Sequence, residues 1–161
     1  MINKFKPHLL ILPEDEANRM IANGFVQTPH LDLSRVQILP NAGGWGHVRD
    51  SFTQAHNKAM SKYDKRMMLL LVDFDNQDNR REEVLSQVSP QVRDRVFVLG
   101  TLSEPEDLRG DLGHFERIGE AIGDDCLDEA PRTWEHPLLQ HNEEELRRLT
   151  ERVRPFLFPT R

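Results

Sequence analysis

Four short apolar runs punctuate the chain, and each gives way to a stretch with helical spacing. The longest is Met67-Met68-Leu69-Leu70-Leu71-Val72, six apolar residues with no polar alternation, the pattern of a strand buried on both faces of a parallel sheet. Leu9 to Leu12, Val36 to Leu39 and Val96 to Leu99 are shorter versions of the same signal. Between them, Pro13 to Gly24 reads as a helix with an acidic first turn and Asn23-Gly24 as its stop. Arg49 to Tyr63 carries Phe52, Ala55, Ala59 and Met60 on one helical face, and Asn79 to Val88 carries Val84, Leu85 and Val88. Strand and helix therefore alternate, which predicts an α/β fold with a central four-stranded parallel sheet, right-handed crossovers and helices on both faces.

Beyond this alternation the pattern becomes helical only. Phe115, Ile118, Ala121 and Ile122 share a face, Asp124 to Glu129 is expected to be a loop, and a last helix is expected from Asn142. Glu143 to Glu145 in its first turn and Arg147, Arg148, Arg152 and Arg154 further on suit the helix dipole. These arginines read as a solvated, ion-paired face, with a phosphate-contact strip as the second reading. Phe156 and Phe158 in the apolar tail are expected to pack back on the domain or on a second subunit.

A length of 161 residues fits a single domain, 1–161, whose core needs no disulfide. The lone Cys126 and the lack of any CxxC or Cys/His cluster point to a reducing, cytoplasmic setting. Lys4 and Lys6 precede only the short Leu9 to Leu12 run, which fits neither a signal peptide nor a membrane span. The net charge of −6 argues against a protein that coats DNA non-specifically, but it permits a local basic surface.

The candidate chemistry sits where the strands end. Asp73 and Asp75 follow the most apolar run, and strand alternation would point both to one side, able to share a divalent cation. A helix cap at Asp73 and a solvated Asp75 are the plainer alternative. Glu14 holds the equivalent place after the first strand, where helix capping would also account for it. The turn Asn41-Ala42-Gly43-Gly44-Trp45-Gly46 after the second strand reads either as a phosphate cradle or as a tight structural turn under Trp45, and matches neither a Walker loop nor the dinucleotide fingerprint. Glu104 and Glu106 form an acidic loop after the fourth strand. His114, His136 and His141 are too scattered for a ligand pattern.

This order, strand with Glu14, strand with Gly43-Gly44, strand with Asp73-Phe74-Asp75, then a fourth strand, resembles the Toprim domain of topoisomerases, primases and related nucleases. The resemblance covers residues 6–110 and leaves 111–161 as a helical extension. The segment Ile38 to Val48 is most similar to the glycine turn of OLD-type nucleases, which are usually fused to an ATPase. It implies Mg²⁺ or Mn²⁺ held by Glu14, Asp73 and Asp75, with Asp78 or Glu106 in reach of a second ion, and Gly43 and Gly44 in the phosphate-facing turn. The implied activity is a metal-dependent nuclease acting on nucleic acid, with an ATPase or other protein partner, or a homodimer, supplying what the small chain lacks. A non-catalytic regulatory subunit of a repair or defence complex is the second implication. Asp15, Asn18 and Asn76-Gln77-Asp78 depart from the family pattern, and the last of these speaks against a topoisomerase.

Overall fold

Apolar runs too short to fold alone become strands by pairing side by side. The structure, a computed structural model, describes residues 2–130 and 132–159, so the outer limits of the expected domain lie outside the described residues. The strands are β1 (His8–Pro13), β2 (Val36–Ile38), β3 (Arg66–Leu71) and β4 (Val96–Leu99). All pair in parallel, in the order β2-β1-β3-β4. The two long strands lie at the centre, in register from His8↔Arg66 to Pro13↔Leu71, and every residue of both is buried.

Because side chains alternate along a strand, this central pair supplies two cores at once. Leu9, Ile11, Leu69 and Leu71 face α1 (Glu16–Phe25), α6 (Phe115–Asp128) and α7 (Glu143–Leu157). Leu10, Leu12, Met68 and Leu70 face the residues of α2 (Trp45–Ser51), α3 (Asn57–Lys62) and α4 (Arg80–Leu85). The expected α/β architecture with helices on both faces is what forms. A short α5 (Arg109–Leu112) links β4 to α6.

Several boundaries differ from expectation, each for a local reason. The second helical rod starts at Trp45 rather than Arg49, because Gly44, at φ 139°, serves as its N-cap, and a π-helical turn at Phe52–His56 joins α2 to α3. Gly24 does not stop α1, which continues through Phe25. Its missing side chain admits α6 instead, since a Cβ there would lie 1.9 Å from the Glu116 carbonyl oxygen. The acidic stretch expected as a loop is the end of α6, which closes at Asp128 with Glu129 in the left-handed conformation at φ 56°. Helix α7 runs through Pro155 to Leu157. A proline in the last turn forfeits one backbone bond, while Phe156, Leu157 and Phe158 around it are buried in the core and hold the segment in place.

The strand order fixes where a ligand can sit. From β1 the chain steps outward to β2, then returns to the other side of β1 for β3. The carboxyl ends of β1 and β3 therefore flank the point where strand order reverses, the place at which open α/β sheets form their binding crevice.

Candidate functional site

Glu14 directly follows β1 and extends its ladder, its amide donating to the Leu71 carbonyl at 2.9 Å. Its side chain reaches across to β3, where Oε2 accepts from the Asp73 amide at 2.8 Å. Behind it, the Gly43 and Gly44 amides donate to the Glu14 carbonyl at 2.9 and 3.2 Å. Positive φ angles of 94° and 139° aim those two amides inward, which suits glycine. The glycine turn thus braces the Glu14 backbone, and its two glycine amides are engaged there rather than turned toward an external phosphate.

Asp15 is the N-cap of α1, its Oδ1 accepting from the Asn18 amide at 3.0 Å. The Asn18 side chain, almost fully buried, donates from Nδ2 to both Asp15 Oδ1 and Asp73 Oδ1 at 2.9 Å. One amide group thereby joins the first helix cap to the end of the third strand. As a result, the carboxylates of Glu14, Asp15 and Asp73 each place an oxygen within 4.8 Å of the others. Burial raises the Glu14 carboxyl above its ordinary range, with the Asp73 amide pulling the other way and the Asp15 charge adding to the rise. Asp73 is pushed up to about 7, chiefly by burial; the Asn18 hydrogen bond opposes this, and the charges of Glu14, Asp15 and Asp75 reinforce it.

Asp75 takes a different place from the one strand alternation predicts. β3 ends at Leu71, before the acidic pair, and Asp75 and Asn76 both adopt left-handed backbone conformations, at φ 50° and 59°. The turn lays this loop along the one after β4, with the Asn76 amide on the Leu102 carbonyl at 2.7 Å. The Asp75 carboxylate pairs with Arg80 Nη1 at 2.8 Å, and the same nitrogen donates to the Asp73 carbonyl at 2.9 Å. Arg80 is buried, and its guanidinium lies 4.4 Å from the centre of the Trp45 ring. This arginine thus joins the β3 loop to the start of α2.

The other expected ligands lie outside the close group. Asp78 lines a separate cleft with Phe74, Arg81 and His141. Glu106 is exposed in the turn Pro105–Leu108, next to Glu104, whose carboxyl is raised mainly by the Glu106 charge. The structure therefore brings Glu14 and Asp73 together, adds Asp15, ties Asp75 to Arg80 and leaves Asp78 and Glu106 apart. In sequence Asp15 counted as part of the acidic first turn, and Asp15 and Asn18 as departures from the family pattern, although Asp-x-x-Asn at a helix start is itself a capping signal. The only local signal at Arg80 was its i,i+3 pairing with Glu83, whereas the partners that matter at the site, Asp73, Asp75 and Trp45, lie on two loops.

No family model matches the chain, and no curated protein or solved structure matches it. Among the described residues, no helix is long and apolar enough to cross a membrane.

Proposed function

We propose that Glu14, Asp15 and Asp73 form a divalent-cation site and that the protein is a metal-dependent nuclease or related phosphodiester-processing protein acting on nucleic acid. The observation carrying this reading is the convergence of three carboxylates within 4.8 Å at the strand-order reversal, with Asp73 raised to about 7 by burial and like charge. The donor set fits Mg²⁺ or Mn²⁺, which favour hard carboxylate oxygens. Bound there, such an ion supplies Lewis-acid polarisation of a phosphate oxygen and a more acidic water. The chain's own part is orientation. The Asp73 amide fixes the Glu14 carboxylate, Asn18 fixes Asp73, and Arg80 holds the loop that carries both Asp73 and Asp75.

A regulatory, non-catalytic role is the second reading. It is favoured by the Asp75–Arg80 ion pair, which already neutralises one of the expected ligands, and by the engagement of the Gly43 and Gly44 amides with Glu14.

Thermal unfolding in a Mg²⁺ or Mn²⁺ titration tests the cation site. An ion at about a hundred times its Kd adds about 2.7 kcal/mol to the native state, so the midpoint should rise with metal, and Asp73→Asn should lose most of that rise. No shift at millimolar metal, or an equal shift in the variant, rejects the site. Cleavage of a panel of single- and double-stranded DNA and RNA, abolished by Asp73→Ala, separates the two readings. A metal-dependent shift without cleavage selects the regulatory role.

A further inference from the structure

The lysines gather at the edge of the sheet opposite the carboxylates. Every lysine of the chain, Lys4, Lys6, Lys58, Lys62 and Lys65, lies either just before β1 or on the segment from α3 into β3. Residues 1–13 contain no Asp or Glu, and residues 51–72 contain only Asp64, although the whole chain is at −6. Parallel pairing brings these two segments together, with the His8 amide on the Lys65 carbonyl at 3.2 Å and His8 in register with Arg66. Among the described residues, no lysine makes a salt bridge, whereas the arginines of the α6 and α7 region are largely paired.

This edge also has an aromatic centre. The Tyr63 ring is flanked by Lys4 at 5.2 Å, Lys62 at 5.4 Å and Arg66 at 5.0 Å, and Phe5 meets it edge-on at 6.1 Å. Phe5 is 82% exposed, the most exposed large apolar side chain among the described residues. The platform is braced from below. Arg95 donates to the carbonyls of Met60, Tyr63 and Arg66, and the buried Arg66 donates to His8 Nε2, which orders the backbone that carries the ring.

We infer that this lysine and aromatic surface binds single-stranded nucleic acid, with phosphates on Lys4, Lys62 and Lys65 and a base stacked on Phe5. Charge alone would suit any polyanion. An exposed ring held beside a cation-flanked tyrosine adds what bases offer and phosphate groups alone do not, a flat π-face. The six residues of β3 separate this surface from the carboxylate group by about 20 Å, so the two are distinct sites, and this one needs no metal.

The test is fluorescence anisotropy of a labelled oligothymidylate of about 12 nucleotides in EDTA, with salt varied. EDTA makes the outcome independent of the cation site. Lys4→Ala/Lys62→Ala/Lys65→Ala should weaken binding more than about tenfold and lower the slope of log K against log salt by about 2, at roughly 0.7 per lost single-strand contact. Phe5→Ala should weaken binding about tenfold with the slope unchanged, because stacking releases no counterion. Arg117→Ala, which removes an exposed cation on α6, should leave both quantities unchanged. Equal binding by the triple variant, or equal weakening by Arg117→Ala, overturns the assignment. Retention on phosphatidylserine vesicles without oligonucleotide binding overturns it in favour of a membrane surface.

Discussion

Asp73 sets the electrostatic behaviour of the carboxylate group. Its folded-state value of about 7 lies above the ordinary 3.8, so the fold favours the protonated acid. Between about pH 4 and 7 the folded protein keeps a proton that the unfolded chain has released, and metal-free stability therefore falls as pH rises through that window. Glu14, also raised, acts with the same sign. Asp73→Asn should flatten this dependence and, after allowing for solvent screening of a half-buried group, stabilise the metal-free protein by about 1 kcal/mol near pH 8. Urea midpoints at about pH 5 and 8 in EDTA check this, and a wild type more stable at the higher pH contradicts it. Cation affinity should run the opposite way, rising with pH up to about 7 as Asp73 releases its proton. Arg80 poses a separate question of burial. Arg80→Ala leaves the Asp73 carbonyl and the Asp75 carboxylate without their shared donor and uncovers Trp45, at an expected cost of about 2–4 kcal/mol. Asp75→Asn, with its side chain 53% exposed, should cost under about 1 kcal/mol in the same denaturation experiment.

Among the elements, the crossing of α1 and α6 leaves no room for added volume. A Cβ on Gly119 would meet the Ile21 carbonyl oxygen at 1.9 Å, and one on Gly123 would meet Thr28 Oγ1 at 1.8 Å. Alanine would ordinarily favour a helix by about 1 kcal/mol over glycine, but here the obstacle at Gly119 is backbone and cannot swing aside. Gly119→Ala should lower stability by about 2–3 kcal/mol, read as a fall in thermal midpoint. Gly110→Ala, on α5 with open space around the new methyl, should be neutral or slightly stabilising and serves as its control. The crossing matters for the site because α1 begins with Asp15 and Asn18, so a displaced α1 would pull both away from Asp73.

For the whole molecule, Cys126 reports on global opening. It is completely buried in the α6–α7 side of the core, and burial pushes its thiol up to about 11. Thiolate is the reactive form, so both protonation and access protect it. Labelling by a thiol reagent near pH 8 should be slowed at least about a thousandfold relative to the chain in urea, and the residual rate should follow global stability across the variants above. Fast labelling of the native protein would show that the helical face opens on its own. The charge distribution is likewise a property of the whole. The carboxylates gather where the parallel strands end and the lysines where they begin, so one molecule of net charge −6 presents edges of opposite sign.

Much of this was already present in the order of residues. The unbroken apolar run Met67 to Val72 and the shorter run Leu9 to Leu12 determined two central strands, because a strand with apolar residues on both faces is stable only between two helical layers. Glu14 and Asp73 were legible as lying at one edge of the sheet for the same reason, since parallel strands end at one edge. The tertiary structure alone decided the rest. Four apolar strands are interchangeable as neighbours until packing sets the order β2-β1-β3-β4, and the β1–β3 pairing in that order puts Glu14 beside Asp73 across the reversal point. Asp75 was placed by a left-handed turn and by an arginine five residues on, neither of which period-2 alternation contains. Gly24 looked like a helix stop because the reason for its missing side chain, the carbonyl of Glu116, lies on a helix ninety-two positions later in the chain. Local pattern specifies what each segment can bury, whereas close approach between segments is specified only once they have met.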